Sequence, residues 1–279
     1  MVMRDLYRLM TDIIGQNPQS DARFEADQLV EFVTGQKRIQ IMSQPVDEAT
    51  KQKLLQFAAK RKEGYPLQYI IGRWQFFDME LCVGEGVLVP RQDTETVCEA
   101  AFKVLKDMPS PCVLDLCSGS GCIALAVKRF FPSAQVTALE KSADAFHYLQ
   151  KNIVHTGLPV EAVQGDVFGF EDTVAQHSFD LIISNPPYID PAVADTLQQE
   201  VKHEPQMALF AADKGLLFYS YISQNYKKLL KTGGFMVFEY GFDQQAQVRE
   251  ILCSQGFSIV GEIIDYGGNP RGVVAQKTE

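Results

Sequence analysis

Apolar positions near the amino terminus recur at helical spacing: Leu6, Leu9, Met10, Ile13 and Ile14, then Phe24, Leu29, Phe32 and Val33, then Leu54, Leu55, Phe57 and Ala58. Each set lays one apolar stripe along a helix, so residues 1 to about 62 predict a small helical bundle. Asp21 and Asp47 stand where helix starts want a capping oxygen, and Gly64 with Pro66 closes the section. The pattern then changes. Residues 74–89, WQFFDMELCVGEGVLV, are rich in aromatic and β-branched side chains and predict a hairpin turning at Gly84-Glu85-Gly86. From about residue 91, short apolar runs alternate with amphipathic stretches: CVLDLC, a helix from 121, QVTALE, a helix from 142, VEAVQGD, FDLIIS, a helix near 215–231, FMVFEYG and a helix near 243–255. The last stretch, FSIVGEIIDYGGNPRGVVAQ, reads as two further strands about a Gly-Asn-Pro turn. Such alternation specifies an α/β fold, a mostly parallel, Rossmann-like sheet of seven strands covered on both faces. The expected division is a helical bundle over 1–73, a β-hairpin linker over 74–90 and an α/β domain over 91–279.

Composition narrows the class without choosing the chemistry. The 279 residues, 46% hydrophobic and 22% charged, are those of an ordinary folded protein. Charges interrupt every apolar run before the ~18 residues a membrane span needs, and MVMRDLYRLMTDII reads as an amphipathic helix, not a signal peptide. The six cysteines form no CxxC pair and the four histidines no ligand pair, so no metal is expected and the thiols read as reduced ones of a cytoplasmic protein. A net charge of −9 weighs against a nucleic-acid backbone as main partner, because phosphate neutralisation supplies most of such affinity. No stable nucleic-acid binding, no membrane attachment and a monomer are expected.

Candidate chemistry collects at strand ends. Asp115-Leu-Cys-Ser-Gly-Ser-Gly121 follows the first parallel strand and opens a helix, a turn that lets backbone approach a ligand and points amide N–H groups at it. Glycine turns after strands are common, and a dinucleotide fingerprint would want glycines where Cys117 and Cys122 stand. Glu140 ends the second strand, where an acid meets ribose hydroxyls. Asp166 ends the third and Asn185 the fourth. Four successive strands thus deliver Asp115, Glu140, Asp166 and Asn185 to the edge where open α/β sheets bind ligands. An acid with a degenerate glycine loop suits S-adenosylmethionine, which has no pyrophosphate, better than NAD. The expected cofactor residues are Asp115, Cys117, Ser118, Gly119, Ser120, Gly121, Glu140, Lys141, Asp166, Val167, Phe168 and Asn185. Asp166 would lie near the adenine amino group, and Phe168 or Val167 would cover the ring.

The fourth strand leaves the sheet through Asn185-Pro186-Pro187-Tyr188. With the constellation beside it, this arrangement resembles the class I methyltransferases, and among them those that methylate a nitrogen conjugated to a π-system. Such a nitrogen is a poor nucleophile because its lone pair is delocalised. The Asn185 side-chain carbonyl and the Pro186 backbone carbonyl can each accept one N–H, fixing the NH2 group and aiming its lone pair at a sulfonium methyl. Proline holds φ and lacks an N–H that a tight apolar site would leave unpaired. Tyr188 offers a flat wall. Asn185, Pro186 and Tyr188 are the catalytic candidates, and S-adenosylhomocysteine would be the product.

The segments GYPLQYIIG, VLVPRQDTE, DLCSGSGCIAL, SNPPYI, HEPQMAL, DKGLLFY, FEYGFDQ and DYGGNPRGVV occur in the order of one family. The chain resembles, end to end, the bacterial protein-(glutamine-N5) methyltransferases that modify peptide-chain release factors. The resemblance implies methylation of the glutamine in the Gly-Gly-Gln tip of class-one release factors. It also implies docking through the helical domain and a substrate site formed by Asn185, Pro186, Pro187 and Tyr188. The family usually has Gly at Cys117, Asp at Glu140, Pro at Gln92 and often an aromatic at Val167.

Pro90, Arg91, Thr94 and Glu95 form a second segment of interest. It reads as a helix start capped by Asp93 that also roofs the cofactor and lines the glutamine's way in, with Arg91 and Glu95 as substrate contacts. Two rivals compete with this reading. An adenine-N6 methyltransferase acting on DNA or RNA would share the Asn-Pro-Pro-Tyr chemistry but need a basic groove and an exposed base. A non-catalytic S-adenosylmethionine-binding module would have no use for Asn185 and Tyr188.

Overall fold

The computed structural model describes residues 1–278 and divides into two units. The first comprises Met1–Arg73 together with a returning segment, Leu197–His203. Its helices are α1 (Met3–Ile14), α2 (Ala22–Thr34), α3 (Arg38–Ile41), α4 (Glu48–Lys62) and α5 (Leu67–Ile71). Leu6, Met10, Ile14, Leu29, Val30, Leu54 and Ala58 meet in its interior with no exposed surface. The expected caps are in place: Asp21 accepts the Phe24 N–H at 3.1 Å and Asp47 the Thr50 N–H at 2.9 Å. Arg61 is buried in the same unit, forked onto Glu25 at 2.8 Å, reaching Glu200 at 3.4 Å and bonded to the Tyr65 carbonyl. A buried guanidinium so fully partnered ties the returning segment to α2 and α4. Gly64, with φ +81°, lies where a Cβ would come within 2.7 Å of Gln199 Cβ.

The second unit, Trp74–Thr196 and Glu204–Glu279, opens with the hairpin strands β1 (Arg73–Phe76) and β2 (Met79–Cys82). The hairpin turns at Phe77-Asp78 and not at Gly84-Glu85-Gly86. Those glycines follow it, and Gly86 lies where a Cβ would come within 2.7 Å of Asp144 Cβ. Phe76, Met79 and Leu81 join the unit's core, and the Asn152 side chain pairs with both backbone groups of Cys82, at 2.6 and 3.0 Å.

The chain continues through α6 (Gln92–Leu105), β3 (Cys112–Leu116), α7 (Cys122–Phe130), β4 (Gln135–Glu140), α8 (Ala143–Thr156), β5 (Glu161–Gln164), α9 (Val167–Phe170), β6 (Phe179–Ser184), α10 (Gln206–Leu209), α11 (Leu217–Asn225), β7 (Leu230–Glu239), α12 (Gln245–Ser254), β8 (Phe257–Ile264) and β9 (Pro270–Lys277). The seven-stranded sheet runs β5-β4-β3-β6-β7-β9-β8, with β9 antiparallel to both neighbours and the other pairings parallel. Alternation along each strand feeds two cores. Val113, Val136, Ala138, Leu181 and Ile183 face Val97, Ala124 and Leu149 on one side. Leu114, Leu116, Ile182, Met236 and Phe238 face Tyr219, Ile222, Val248 and Leu252 on the other. The helix expected near 215–231 stops at Asn225: a short 3₁₀ turn follows and β7 already begins at Leu230. Successive strands run outward from β3 to β5 and then return to β6, so a crevice opens between β3 and β6 at their carboxyl ends.

Candidate active site

That crevice holds an open-mouthed cavity, the kind of concave site in which small molecules bind. Cys117, Ser118, Gly119 and Ser120 line it after β3, and Glu140, Lys141 and Ser142 after β4. Asp166, Val167 and Phe168 follow β5, and Asn185 with Pro187 follows β6. Pro90, Arg91 and Thr94 at the start of α6, with Pro205, Met207 and Phe218 opposite, complete the wall.

The glycine turn is held from the neighbouring strand. Glu140 Oε2 accepts the Gly119 N–H at 2.8 Å and Oε1 accepts the Ser142 N–H at 2.7 Å. Burial pushes the Glu140 carboxyl up, against the pull of those N–H groups. Gly119 has φ +55° with open space where a Cβ would stand, whereas Cys117 adopts φ +59° with a side chain present. A non-glycine residue in that region costs about 1–2 kcal/mol. Burial drives the Cys117 thiol pKa far up, so it lines the wall as a neutral group.

Asp166 caps α9 through the Phe168 N–H at 3.1 Å and pairs with Lys141 at 2.7 Å. Partial burial opposes ionisation there, but the ammonium and the N–H outweigh it and hold the carboxyl below its usual range. Phe168 is 37% exposed at the cavity mouth, edge-on to Tyr221 at 4.6 Å and tilted on Phe218 at 5.3 Å. With Val167 buried beneath it, the ring supplies the aromatic surface that position 167 lacks.

Five expected residues do not reach the cavity wall: Asp115, Gly121, Pro186, Tyr188 and Glu95. Asp115 is fully buried behind the turn, where Oδ2 accepts the Ala124 N–H at 3.2 Å and Oδ1 has no hydrogen-bond partner. Burial raises its carboxyl to about 8. It organises the start of α7 from behind the cavity wall. Glu95 accepts the Phe77 N–H at 2.7 Å and so braces the hairpin, off the cavity wall. Asp93 is not the cap of α6: that position falls to Arg91, in an extended conformation, while Asp93 pairs with Arg271 at 3.2 Å. Pro186 is buried, and Tyr188 is half-buried with its backbone carbonyl held by the Gln244 side chain at 2.9 Å. Gly215, with φ +84°, packs so closely on that carbonyl that a Cβ would overlap it.

Two partners of the site, Glu204 and Glu239, carried no assigned role in the sequence reading, and Thr94 had one only as part of its segment. Glu204, its side chain without exposed surface, holds Arg91 at 2.5 Å and accepts the Val89 N–H at 3.4 Å. Thr94 Oγ1 donates to Glu239 Oε2 at 2.7 Å, and Asn185 Nδ2 donates to Thr94 Oγ1 at 3.4 Å. All lie in segments quoted for the resemblance, but only the fold brings α6, β6 and β7 together. Among the described residues no group of three or more His, Cys, Asp or Glu is placed to hold a metal ion, and no helix is long and apolar enough to cross a membrane.

Two family models match the chain: the PrmC N-terminal domain over residues 5–72 and the Methyltransferase small domain over residues 93–237. A release factor glutamine methyltransferase of Fusobacterium nucleatum is 37% identical, over 85% of this chain and 67% of its own length. That of Salmonella typhimurium is 34% identical over 96% and 97%. Among solved structures, a methyltransferase from Pyrococcus furiosus superposes with a TM-score of 0.53 at 19% identity, covering 73% of this chain and 91% of that one, a likeness of fold. Sheet order, a cavity at the switch point and 34–37% identity to these relatives over most of the chain agree: the chain belongs to the release factor glutamine methyltransferase family.

Proposed function

We propose that this chain transfers a methyl group from S-adenosylmethionine to the side-chain amide nitrogen of the Gly-Gly-Gln glutamine of a class-one release factor. The observation that carries the reading is Asn185: it lines the cavity and its Nδ2 donates to Thr94, so Oδ1 is the end of the amide left to accept from a substrate. An acceptor is what a substrate NH2 requires, and a donor there would compete for nothing the substrate offers.

The residues present fit the cofactor. The carboxylates of Glu140 and Asp166 stand on adjacent strand ends for hydroxyl and amino groups, and Phe168, Val167 and Phe218 form an apolar slot for a flat ring. Each Glu140 oxygen already accepts one backbone N–H and keeps a second lone pair for a ribose hydroxyl. When bound, S-adenosylmethionine supplies an electrophilic methyl group on a sulfonium centre.

The protein's share of the chemistry is positioning. Asn185 Oδ1 takes one hydrogen of the glutamine NH2 and orients it; the Pro186 carbonyl, expected as the second acceptor, belongs to a buried residue that does not reach the cavity wall. Orientation and fixed dipoles of this kind lower a barrier by several kcal/mol, on the order of the ~2.7–4 kcal/mol measured for one preorganised polar contact. Tyr188 packs against the buried cluster that holds Tyr219 and Phe238, and Arg91 with Pro90 lines the cavity. The first unit is the docking surface for the release factor in this reading.

The test is methyl transfer from labelled S-adenosylmethionine to a purified class-one release factor, with the same factor lacking its Gly-Gly-Gln glutamine as control. Label on that glutamine, absent from the control, is the expected result. Label on nucleic acid and on neither protein would overturn the reading in favour of adenine.

A further inference from the structure

An asparagine can aim a cavity only if something decides which end of its amide points inward, because the carbonyl and NH2 ends have nearly the same shape. At Asn185 the deciding chain is visible. Asn185 Nδ2 donates to Thr94 Oγ1 at 3.4 Å, and Thr94 Oγ1 donates to Glu239 Oε2 at 2.7 Å. Thr94 and Glu239 are 2% and 1% exposed, so water does not compete for these groups.

We propose that Glu239 is a positioning residue for amide-nitrogen methylation, acting through the Thr94 hydroxyl to keep the Asn185 carbonyl, and not its NH2, turned into the cavity. The logic is one of donors and acceptors. An ionised carboxylate only accepts, so the Thr94 O–H must donate to it. Its hydroxyl hydrogen spent, Thr94 can offer Asn185 nothing but a lone pair, and only the NH2 end of the amide can use one. With the carboxylate absent, the hydroxyl is free to donate to Asn185 Oδ1, and the amide gains a reason to turn over. A turned amide presents N–H groups to a substrate that also presents N–H groups, and the acceptor is lost. The inference rests on the amide-methylating reading above.

The charge state of Glu239 belongs to the same device. Burial raises its carboxyl to about 7, opposed by the Thr94 hydroxyl and the guanidinium groups of Arg271 and Arg91, while Asp93 adds to the rise. Tyr188, a neutral phenol at these pH values, also faces it. A protonated Glu239 can donate to Thr94 and reverse the chain, so turnover should fall as pH drops below about 7.

The experiment compares wild type with Glu239→Met, Thr94→Val, Thr94→Ser and the Glu239→Met/Thr94→Val double variant, using a release factor as substrate. Methionine replaces a desolvated carboxylate with an apolar side chain of similar length, so melting temperature should hold or rise. The expected result is a 10- to 100-fold loss of kcat in Glu239→Met and in Thr94→Val. KM and cofactor affinity by calorimetry should stay within about threefold. Thr94→Ser should keep most of the activity, the double variant should be no worse than either single one, and the acid limb should vanish from the Glu239→Met pH profile. Wild-type-like kcat in Glu239→Met, or losses that multiply in the double variant, would overturn the inference while leaving the methylation reading intact. A wild type that labels no release-factor glutamine would overturn the methylation reading, and this inference with it.

Discussion

Glu140 braces the turn that follows the adjacent strand, its Oε2 accepting the Gly119 N–H at 2.8 Å. The contact means that one carboxylate shapes the glycine loop and faces the cavity at once. Glu140→Ala therefore removes two backbone bonds along with any hydroxyl contacts. Cofactor affinity measured by calorimetry should fall by ten- to a hundredfold, on the order of 1–3 kcal/mol, with a lowered melting temperature. Unchanged affinity would take Glu140 out of the cofactor site.

Asn185→Ala should cut turnover by at least 10²-fold, the scale of losing one preorganised polar contact, with cofactor affinity preserved. Near-normal turnover in single-turnover kinetics would refute the acceptor role.

Arg91 and Glu204 separate a structural effect from a substrate effect. Arg91→Ala takes the guanidinium away from the buried Glu204 carboxylate and should cost about 1–3 kcal/mol in urea melts while raising KM for the release factor. In Arg91→Ala/Glu204→Gln the carboxylate is gone, so stability should recover and the raised KM should remain. If KM recovers with stability, Arg91 is a brace for the loop at 204 and nothing more.

Gly215→Ala tests the packing behind the turn. A methyl group there overlaps the Tyr188 carbonyl and needs a φ of +84°, so either the turn shifts or the unit unfolds. A loss of roughly 2 kcal/mol or more, from strain and overpacking together, should accompany a severe loss of turnover. Activity and melting temperature equal to wild type would show the turn to be more pliant than its packing implies.

The sign of one pH effect follows from Asp115. Its folded pKa is raised to about 8 from 3.8, so it favours the folded state while protonated in both states. That contribution is complete below the ordinary value and is lost as pH rises from about 4 to about 8. Asp115→Asn should flatten this decline, so the variant gains on wild type in urea midpoints between pH 5 and pH 8. Parallel curves would mean that Asp115 is not the titrating group.

Much of this protein could be read from the chain alone, and the reason is periodicity. The alternation of buried faces in CVLDL, QVTALE and FDLIIS, with amphipathic stretches between, specifies a parallel sheet and its order of construction, and Asp21 and Asp47 mark helix starts where they stand. The Asn-Pro-Pro-Tyr exit from β6 and the acids at the ends of β4 and β5 were equally legible, since strand ends converge on one edge by geometry. Side-chain direction was not. Asp115 and Glu95 belong to the right segments, but one is turned behind the glycine loop by its bond to Ala124 and the other is drawn to the Phe77 amide. The partners that govern the site, Thr94 with Glu239 and Arg91 with Glu204, are more than a hundred residues apart in sequence. A local pattern carries no record of such a pair, because only burial, by removing competing water, makes those particular contacts decisive. Local sequence chose the elements and their ends; tertiary packing chose which polar atoms face the cavity.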